Sequence, residues 1–356
     1  MQKYYLGFSL TPRIGPVRLR RLLECLGSPE RAWSAPPSAL RQAGLNKSSI
    51  ASLLETRRRL SLEDELARIH GLGITLLTWE DAGYPQRLRH IYAPPPVLYV
   101  RGTLLPEEPM VAVVGTRRPT TYGREVARRL GGDLVRNGVT VVSGLALGID
   151  TEAHRAALMG GGRTVAVLAC GVDRVYPMRN RDLGEKIVAQ GAIVSDYPPG
   201  TPPEPRNFPP RNRIISGLSL GVIVVEAGER SGALITSDFA VEQGREVFAV
   251  PGSILSPCSR GCHDLIGQGA RLVRGVEDVL EELQLTRLAD QQEARRVVPE
   301  SPEEATLLGL LSLEPTHVDE LGQTSGFPVA VVSSTLTLME LKGLVRHVGG
   351  MQYVRT

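Results

Sequence analysis

Short apolar runs alternate with longer amphipathic segments through the middle of the chain. Six runs rich in β-branched residues are predicted to be strands, at residues 111–114, 139–142, 164–168, 192–195, 222–226 and 246–250. Helical periodicity separates and follows them, near residues 123–137, 150–159, 180–190, 211–219, 232–243 and 263–268. Because continuously apolar strands are buried on both faces, this alternation predicts an α/β fold with a mostly parallel sheet and helices on both faces.

The pattern changes at both ends of this sheet. The predicted division is a helical domain at residues 1–75, the sheet with its N-terminal connector at 76–285, a linker at 286–301 and a winged-helix domain at 302–356. The linker is predicted from its polar composition and its terminal prolines. In the last segment three helical patterns precede two short strands around Gly349 and Gly350, which is the order of elements in a winged helix.

The N-terminal helices allow two interpretations. Their turn at Ile14, Gly15 and Pro16 resembles a helix-hairpin-helix, in which turn amides hold a DNA phosphate. A basic face next to this turn is formed by Arg13, Arg18, Arg20 and Arg21. The leucines at positions 19, 22, 23 and 26 share one helical face, which equally suits a small packing module, such as a SAM-like domain.

Length and charge limit the number of domains and the kinds of partner that we expect for this chain. At 356 residues the chain is too long for one ordinary core. The net charge of +3 is too small to require a polyanionic partner, but it is unevenly distributed. Residues 1–80 carry 12 basic and 7 acidic side chains, whereas residues 302–356 carry 3 and 6. We therefore expect any nucleic-acid contact in the first two-thirds of the chain.

Targeting and metal signals are weak. No apolar run approaches the length of a membrane span, and the N-terminus lacks the pattern of a secretory signal. Four cysteines over this length do not form a disulfide framework, so a cytoplasmic location is expected. Cys258, Cys262 and His263 are possible zinc ligands, but no second pair lies nearby in sequence. We expect no metal and no cofactor.

Several fingerprints of enzymes are absent. The chain has no G-x-G-x-x-G after its first central strand, no P-loop motif and no G-x-S-x-G elbow. Asp150 and His154 stand one helical turn apart, but no Ser or Cys nucleophile can be placed beside them, so a structural pair is predicted. Asp150 is also a candidate cap for its helix. No catalytic residue is therefore assigned.

Small and polar residues follow the predicted strands. The candidate ligand contacts in the loops after these strands are Gly115, Thr116, Arg117, Ser143, Gly144, Ser231 and Gly232. Glycine lets backbone approach a ligand, threonine and arginine bind phosphate, and the N–H groups of helix starts favour an anion. Tight turns with a solvated arginine and ordinary helix capping would produce the same pattern.

One proline-rich segment adds an aromatic residue to these candidates. Phe208, Arg211, Asn212 and Arg213 are predicted to lie on a proline-stiffened loop. An exposed aromatic ring stacks on a base and arginines take the flanking phosphates, so the segment predicts binding of single-stranded nucleic acid. In the alternative interpretation, Phe208 packs beneath the loop and the arginines pair with Glu226 or Asp196.

The motifs, in this order, resemble the DprA/Smf family of DNA-processing proteins over nearly the whole chain. They include Val-Ala-Val-Val-Gly-Thr-Arg at 111–117, Ser-Gly-Leu-Ala at 143–146, Gly-Val-Asp at 171–173, Tyr-Pro at 176–177, Phe-Pro at 208–209, Arg-Asn-Arg-Ile-Ile-Ser-Gly at 211–217 and Ser-Gly-Ala-Leu-Ile-Thr at 231–236. The resemblance implies a Rossmann-like domain that binds single-stranded DNA, forms a homodimer and loads the RecA recombinase during natural transformation. Its strand-binding motif corresponds to Gly115, Thr116 and Arg117, and its stacking aromatic to Phe208.

Two departures from the family pattern stand out. Asp196 replaces a frequent glutamate, and the family loop that holds Cys258 and Cys262 usually lacks cysteines. Two other functions remain open from sequence. A nucleotide phosphoribohydrolase would need a Pro-Gly-Gly-x-Gly-Thr loop, which the outlet at 226–232 lacks. A regulator of duplex DNA would rest on the winged helix, whose candidate recognition segment at 329–337 has no positive charge.

Overall fold

The central apolar runs form one nine-stranded sheet in the computed structural model, which describes residues 1–285, 301–312, 315–341 and 344–355. Its strands are β1 Thr75–Thr78, β2 Val97–Gly102, β3 Met110–Val114, β4 Thr140–Ser143, β5 Thr164–Val167, β6 Ala192–Ser195, β7 Gly221–Val224, β8 Glu246–Ala249 and β9 Arg271–Leu272. The spatial order is β1-β2-β6-β5-β4-β3-β7-β8-β9. Only the β1–β2 and β2–β6 pairs are antiparallel, which confirms the predicted Rossmann-like, mostly parallel sheet.

Helices surround the sheet in the same part of the chain. They are α1 Gln2–Ser9, α2 Pro16–Leu26, α3 Pro29–Ser34, α4 Pro37–Gln42, α5 Lys47–Arg59, α6 Leu62–Gly71, α7 Gln86–Arg89, α8 Thr121–Arg136, α9 Ile149–Met159, α10 Arg181–Gln190, α11 Phe208–Leu218, α12 Leu234–Glu242, α13 Arg260–Gly267 and α14 Val276–Glu282. Sequence periodicity predicted α8 to α13 but missed α7, α14 and the two-residue strand β9.

Alternate residues of β3 show how both sheet faces are covered. Val111 and Val113 pack in a cluster with residues of α8, α9 and α14. Ala112 and Val114 pack on the other face with residues of α7, α11 and α12. All four side chains are almost fully buried, as expected for a strand between two helical layers.

The N-terminal helices share a hydrophobic cluster with the antiparallel side of the sheet. Tyr5, Phe8 and Leu19 belong to the same cluster as Tyr99 of β2 and Ile193 of β6. The chain therefore divides into the compact units Met1–Leu285 and Thr286–Thr356. The predicted boundary at residue 75 stays a prediction, and the predicted linker lies, apart from Ser301, outside the described residues.

The second unit has the elements of a winged helix, as predicted. Its helices are α15 Pro302–Leu310, α16 Val318–Ser325 and α17 Val329–Leu341, and its strands are β10 Thr316–His317, β11 Val345–Gly349 and β12 Gln352–Arg355. The strands form an antiparallel sheet in the order β10-β12-β11. Gly349 and Gly350 have positive φ angles of 99° and 60°, which allow the tight turn between β11 and β12.

Candidate nucleic-acid interface

A pocket of about 370 Å³ lies where the chain direction switches across the sheet. From β3 the chain proceeds through β4, β5 and β6 on one side, and then returns to β7 on the other side of β3. Ligands of open α/β sheets bind at the carboxyl ends of strands at such a switch point. The pocket is lined by the end of β3, the loop after β4, the start of α11 and the turn before α12.

The Gly115-Thr116-Arg117 turn brings an arginine to the mouth of this pocket. A Cβ on Gly115 would lie 2.6 Å from Ile149 Cγ1 and 2.9 Å from the carbonyl oxygen of Glu226, so only glycine fits. The N–H of Thr116 donates to that carbonyl at 2.7 Å. Packing behind the turn therefore leaves Arg117 exposed at the pocket.

Phe208 is the first residue of α11, so its predicted position on a loop is wrong. Proline is favoured in the first helical turn, where backbone N–H groups have no helical acceptor, and Pro209 and Pro210 occupy that turn. The half-buried Phe208 ring lies 5.3 Å from Arg117 Cζ and 5.9 Å from Arg211 Cζ. Both distances are within the range of cation–π interactions.

Arg211 is nearly completely buried, with 4% of its surface exposed. Its Nη1 donates to the carbonyl oxygens of Gly144, at 2.9 Å, and Val167. Burial lowers the pKa of Arg211 to about 10, against the opposing effect of Asp150. Within the described residues its Nη2 has no hydrogen-bond partner, and the side chain forms part of the pocket wall. Arg211 is therefore a fixed buried cation, not a mobile surface arginine.

Asn212 and Arg213 contact different parts of the structure. The Asn212 side chain lines the pocket, accepts from Arg211 Nε at 3.3 Å and donates to the carbonyl oxygen of Gly232 at 3.3 Å. Arg213 donates to Asp196 Oδ2 and to the carbonyl oxygen of Ala93, both at 2.6 Å. The structure therefore brings Asn212 to the candidate site and Arg213 to an ion pair elsewhere.

The remaining predicted contacts also divide into two groups. Ser231 and Gly232 line the pocket before α12, and Ser231 Oγ accepts from the N–H of Ala233 at 3.3 Å. Gly144 lies behind the pocket wall, where a Cβ would be 2.6 Å from Arg211 Nη2. Ser143 is fully buried and donates to the carbonyl oxygen of Val113 at 2.7 Å, so it is not at the pocket.

Asp150 and His154 do not form the predicted structural pair. Asp150 Oδ2 accepts from the N–H groups of Gly144 at 3.1 Å and Ala146 at 3.3 Å, so it stabilises the loop before α9 and makes no cap hydrogen bond to that helix. Burial raises its pKa, which Arg211 opposes. His154 instead pairs with Thr164, through Nδ1 and Oγ1 at 2.7 Å.

Sequence reasoning missed an aromatic neighbour of Phe208. The rings of Tyr176 and Phe208 meet edge to face, with centroids 6.0 Å apart, and Tyr176 is exposed. Tyr176 belongs to the Tyr-Pro motif of the family pattern. That motif was the feature of the sequence that could have pointed to a second aromatic ring at the site. Across the ranges that the structure describes, no group of three His, Cys, Asp or Glu side chains is placed to hold a metal ion.

Comparison with known families identifies both units. The family described as DNA recombination-mediator protein A matches residues 75–284, and the DprA winged helix domain matches residues 291–351. Protein Smf of Synechocystis is 38% identical over 99% of this chain and 98% of its own length. None of the helices in the described ranges is long and apolar enough to cross a membrane.

Solved structures support the same assignment. DNA processing protein A from Streptococcus pneumoniae has a TM-score of 0.70 and 38% identity, covering 79% of this chain and 98% of that chain. DNA processing protein A from Helicobacter pylori, whose structure describes a unique single-stranded DNA binding mode, has a TM-score of 0.54 and 30% identity, covering 59% and 96%. The chain therefore belongs to the DprA/Smf family of DNA recombination-mediator proteins.

Proposed function

We propose that the pocket at the end of β3 binds single-stranded DNA without strong sequence preference. The observation that carries this proposal is the placement of exposed Arg117 beside the half-buried ring of Phe208, at the rim of a pocket walled by Arg211. Arginine binds phosphate and an aromatic ring stacks on any base. The related protein from Helicobacter pylori, described by its single-stranded DNA binding mode, supports the same ligand class.

We expect a weak sequence preference because Asn212, the amide side chain in the pocket, already has hydrogen-bond partners within the protein. Asn212 has the group best suited to recognise a base edge, yet its oxygen accepts from Arg211 and its nitrogen donates to Gly232. The groups that remain are a ring face, which stacks on any base, and the Arg117 guanidinium and the N-terminus of α12, which suit phosphate, so we expect little discrimination between bases.

We infer that the chain acts without catalysis, as a cytoplasmic homodimer that loads RecA onto incoming single strands during natural transformation. This part of the proposal rests on family membership. It predicts that the protein accelerates RecA filament assembly on single strands. Release of a free base from a nucleoside monophosphate would contradict it and favour the phosphoribohydrolase alternative.

Arg117→Ala tests the pocket directly. We expect weaker binding of oligo-dT at physiological salt, and a salt dependence reduced by about 0.7 in the slope of log K against log salt for the lost phosphate contact. Arg118→Ala is the matched control, because Arg118 is adjacent and exposed but does not line the pocket. Equal affinities of wild type and Arg117→Ala would overturn the assignment of the pocket.

A further inference from the structure

Three exposed arginines on the N-terminal helices form a cluster that is separate from the pocket lining. The arginine cluster consists of Arg13, before α2, and of Arg18 and Arg21 on α2. We propose that it binds the phosphate backbone of duplex DNA. This would be a second nucleic-acid site, beyond the proposed single-strand pocket.

The cluster is held by contacts between two turns. The carbonyl oxygen of Arg13 accepts from Arg18 Nη1 at 2.5 Å and from Ser49 Oγ, at the start of α5, at 3.3 Å. Arg21 lies one helical turn after Arg18, on the same face of α2. Its guanidinium covers Gly44, where a Cβ would be 2.6 Å from Arg21 Cζ. The backbone of Arg13 and the side chains of Arg18 and Arg21 are therefore held by contacts within the protein.

None of the three arginines has an acidic partner among the described residues. Three acids of the N-terminal helices are paired with other cations, in Lys3–Glu63, Arg59–Glu55 and Arg68–Glu65. Three like charges on one small surface repel each other unless an anion neutralises them. The arrangement therefore favours an external polyanion.

The backbone of Arg13 supports a role for its charge. Arg13 has a φ angle of 68°, in the left-handed region that favours glycine. Glycine is the residue that adopts this conformation most easily, and it does so at Gly27 and Gly44, whose φ angles are 85° and 90°. An arginine at this position keeps a positive charge despite a less favourable backbone.

The neighbourhood of the cluster favours a duplex over a single strand. The large exposed apolar side chains of the first 75 residues are Met1, Val17 and Leu72, and none is aromatic. Without a stacking ring, the surface recognises phosphates and not bases. Duplex DNA presents about one charge per 1.7 Å of helix axis, which is a denser array of phosphates than one strand offers. The start of α2 has no side-chain cap, and its N–H groups add to the attraction.

The test uses the full chain with two separate probes, a blunt duplex and oligo-dT. The variant combines Arg13→Gly, which suits the left-handed backbone, with Arg18→Gln and Arg21→Gln. For the duplex we expect a loss of affinity on the order of tenfold or more at low salt, and a log–log salt slope smaller by about 0.9 per arginine. Oligo-dT binding should be retained, because Arg117 and Phe208 are unchanged.

Arg18→Gln is also tested alone, and Arg31→Gln is its control, because Arg31 is exposed on the nearby helix α3 and lies outside the cluster. Far-ultraviolet circular dichroism and urea unfolding of each variant separate lost binding from lost folding. Unchanged duplex affinity in the triple variant, or no duplex binding by the wild type at low salt, would overturn the proposal. Loss of duplex binding in Arg117→Ala alone would also overturn it, and would place the duplex at the pocket.

Discussion

Phe208 stands between two arginine side chains and one tyrosine ring, and these neighbours determine what its ring can bind. Arg117 is exposed, whereas Arg211 is buried and held by two carbonyl oxygens. A base that stacks on Phe208 would take the place that Arg117 has over the ring. Arg117 would then be free to bind a phosphate.

Phe208→Ala should weaken oligo-dT binding by about 1–3 kcal/mol, because one stacked base loses its ring. Phe208→Trp should retain binding, since indole offers an equally large face. Fluorescence anisotropy with oligo-dT and with an abasic strand of equal length gives the comparison. If Phe208→Ala weakens binding of the abasic strand by the same factor, the ring has a structural role and stacking is excluded.

His154 predicts a pH dependence of stability. Thr164 Oγ1 donates to the carbonyl oxygen of Val141 at 2.8 Å, so it must accept from His154 Nδ1–H. His154 Nε2 is buried without a partner in the described part of the chain. Burial and the charge of Arg211 lower the pKa of His154 from 6.5 to about 3. The folded protein therefore excludes the protonated form that the unfolded chain adopts below pH 6.5.

The stabilising contribution of neutral His154 is complete above pH 6.5 and is lost as the pH falls towards 3, by about 5 kcal/mol in total. His154→Asn keeps a donor near the position of Nδ1 but has no titrating ring. Urea unfolding across this pH range should show a steeper loss for wild type than for His154→Asn. If the free energy of unfolding depended on pH equally in wild type and His154→Asn, His154 would not be the group responsible for the loss of stability.

At the scale of elements, the pocket is built where β4 ends against α11. The loop after β4 supplies the carbonyl oxygen of Gly144 to Arg211, and α11 begins early enough to place Phe208 beside the end of β3. The position of α11 therefore determines the places of both the buried Arg211 guanidinium and the Phe208 ring.

Gly144→Ala should disturb this contact, because the new methyl group would lie 2.6 Å from Arg211 Nη2. We expect a loss of about 1–3 kcal/mol in the free energy of unfolding from overpacking, together with weaker oligo-dT binding. Gly232→Ala is the matched control for stability, since nothing lies within 4 Å of its Cβ position. Equal stability of the two variants in urea would refute the packing argument.

At the scale of the whole molecule, the pocket lies entirely within the unit Met1–Leu285. The same unit contains the N-terminal helices, which share a core with β2 and β6. A fragment that begins at residue 80 would expose this core and lose β1. The winged helix has its own cluster of buried residues, which includes Leu307, Val332 and Leu336.

A fragment of residues 1–285 should fold and bind oligo-dT with the affinity of the full chain, because no pocket residue lies beyond Leu285. A fragment of residues 80–285 should be markedly less stable in thermal unfolding. Fluorescence anisotropy with oligo-dT at two salt concentrations compares the affinity of the 1–285 fragment with that of the full chain. A large loss of affinity on removal of the C-terminal unit would show that this unit contributes to strand binding.

The pattern along the chain was enough to predict the sheet, most of its helices and the position of the Gly115-Thr116-Arg117 turn. Each of these features depends on local spacing, because apolar runs and helical periodicity come from the burial of near neighbours in sequence. The short elements β9 and β10 escaped prediction, since two-residue strands carry no period.

Which arginine faces the pocket was decided only by the tertiary structure. Arg211 and Arg213 are two residues apart on α11 and therefore point about 200° apart around the helix axis. The start of the helix at Phe208, and the arrival of Asp196 from the end of β6, direct Arg213 into an ion pair and Arg211 into the pocket wall. Sequence spacing alone contains neither the register of that helix nor the partners brought by distant strands.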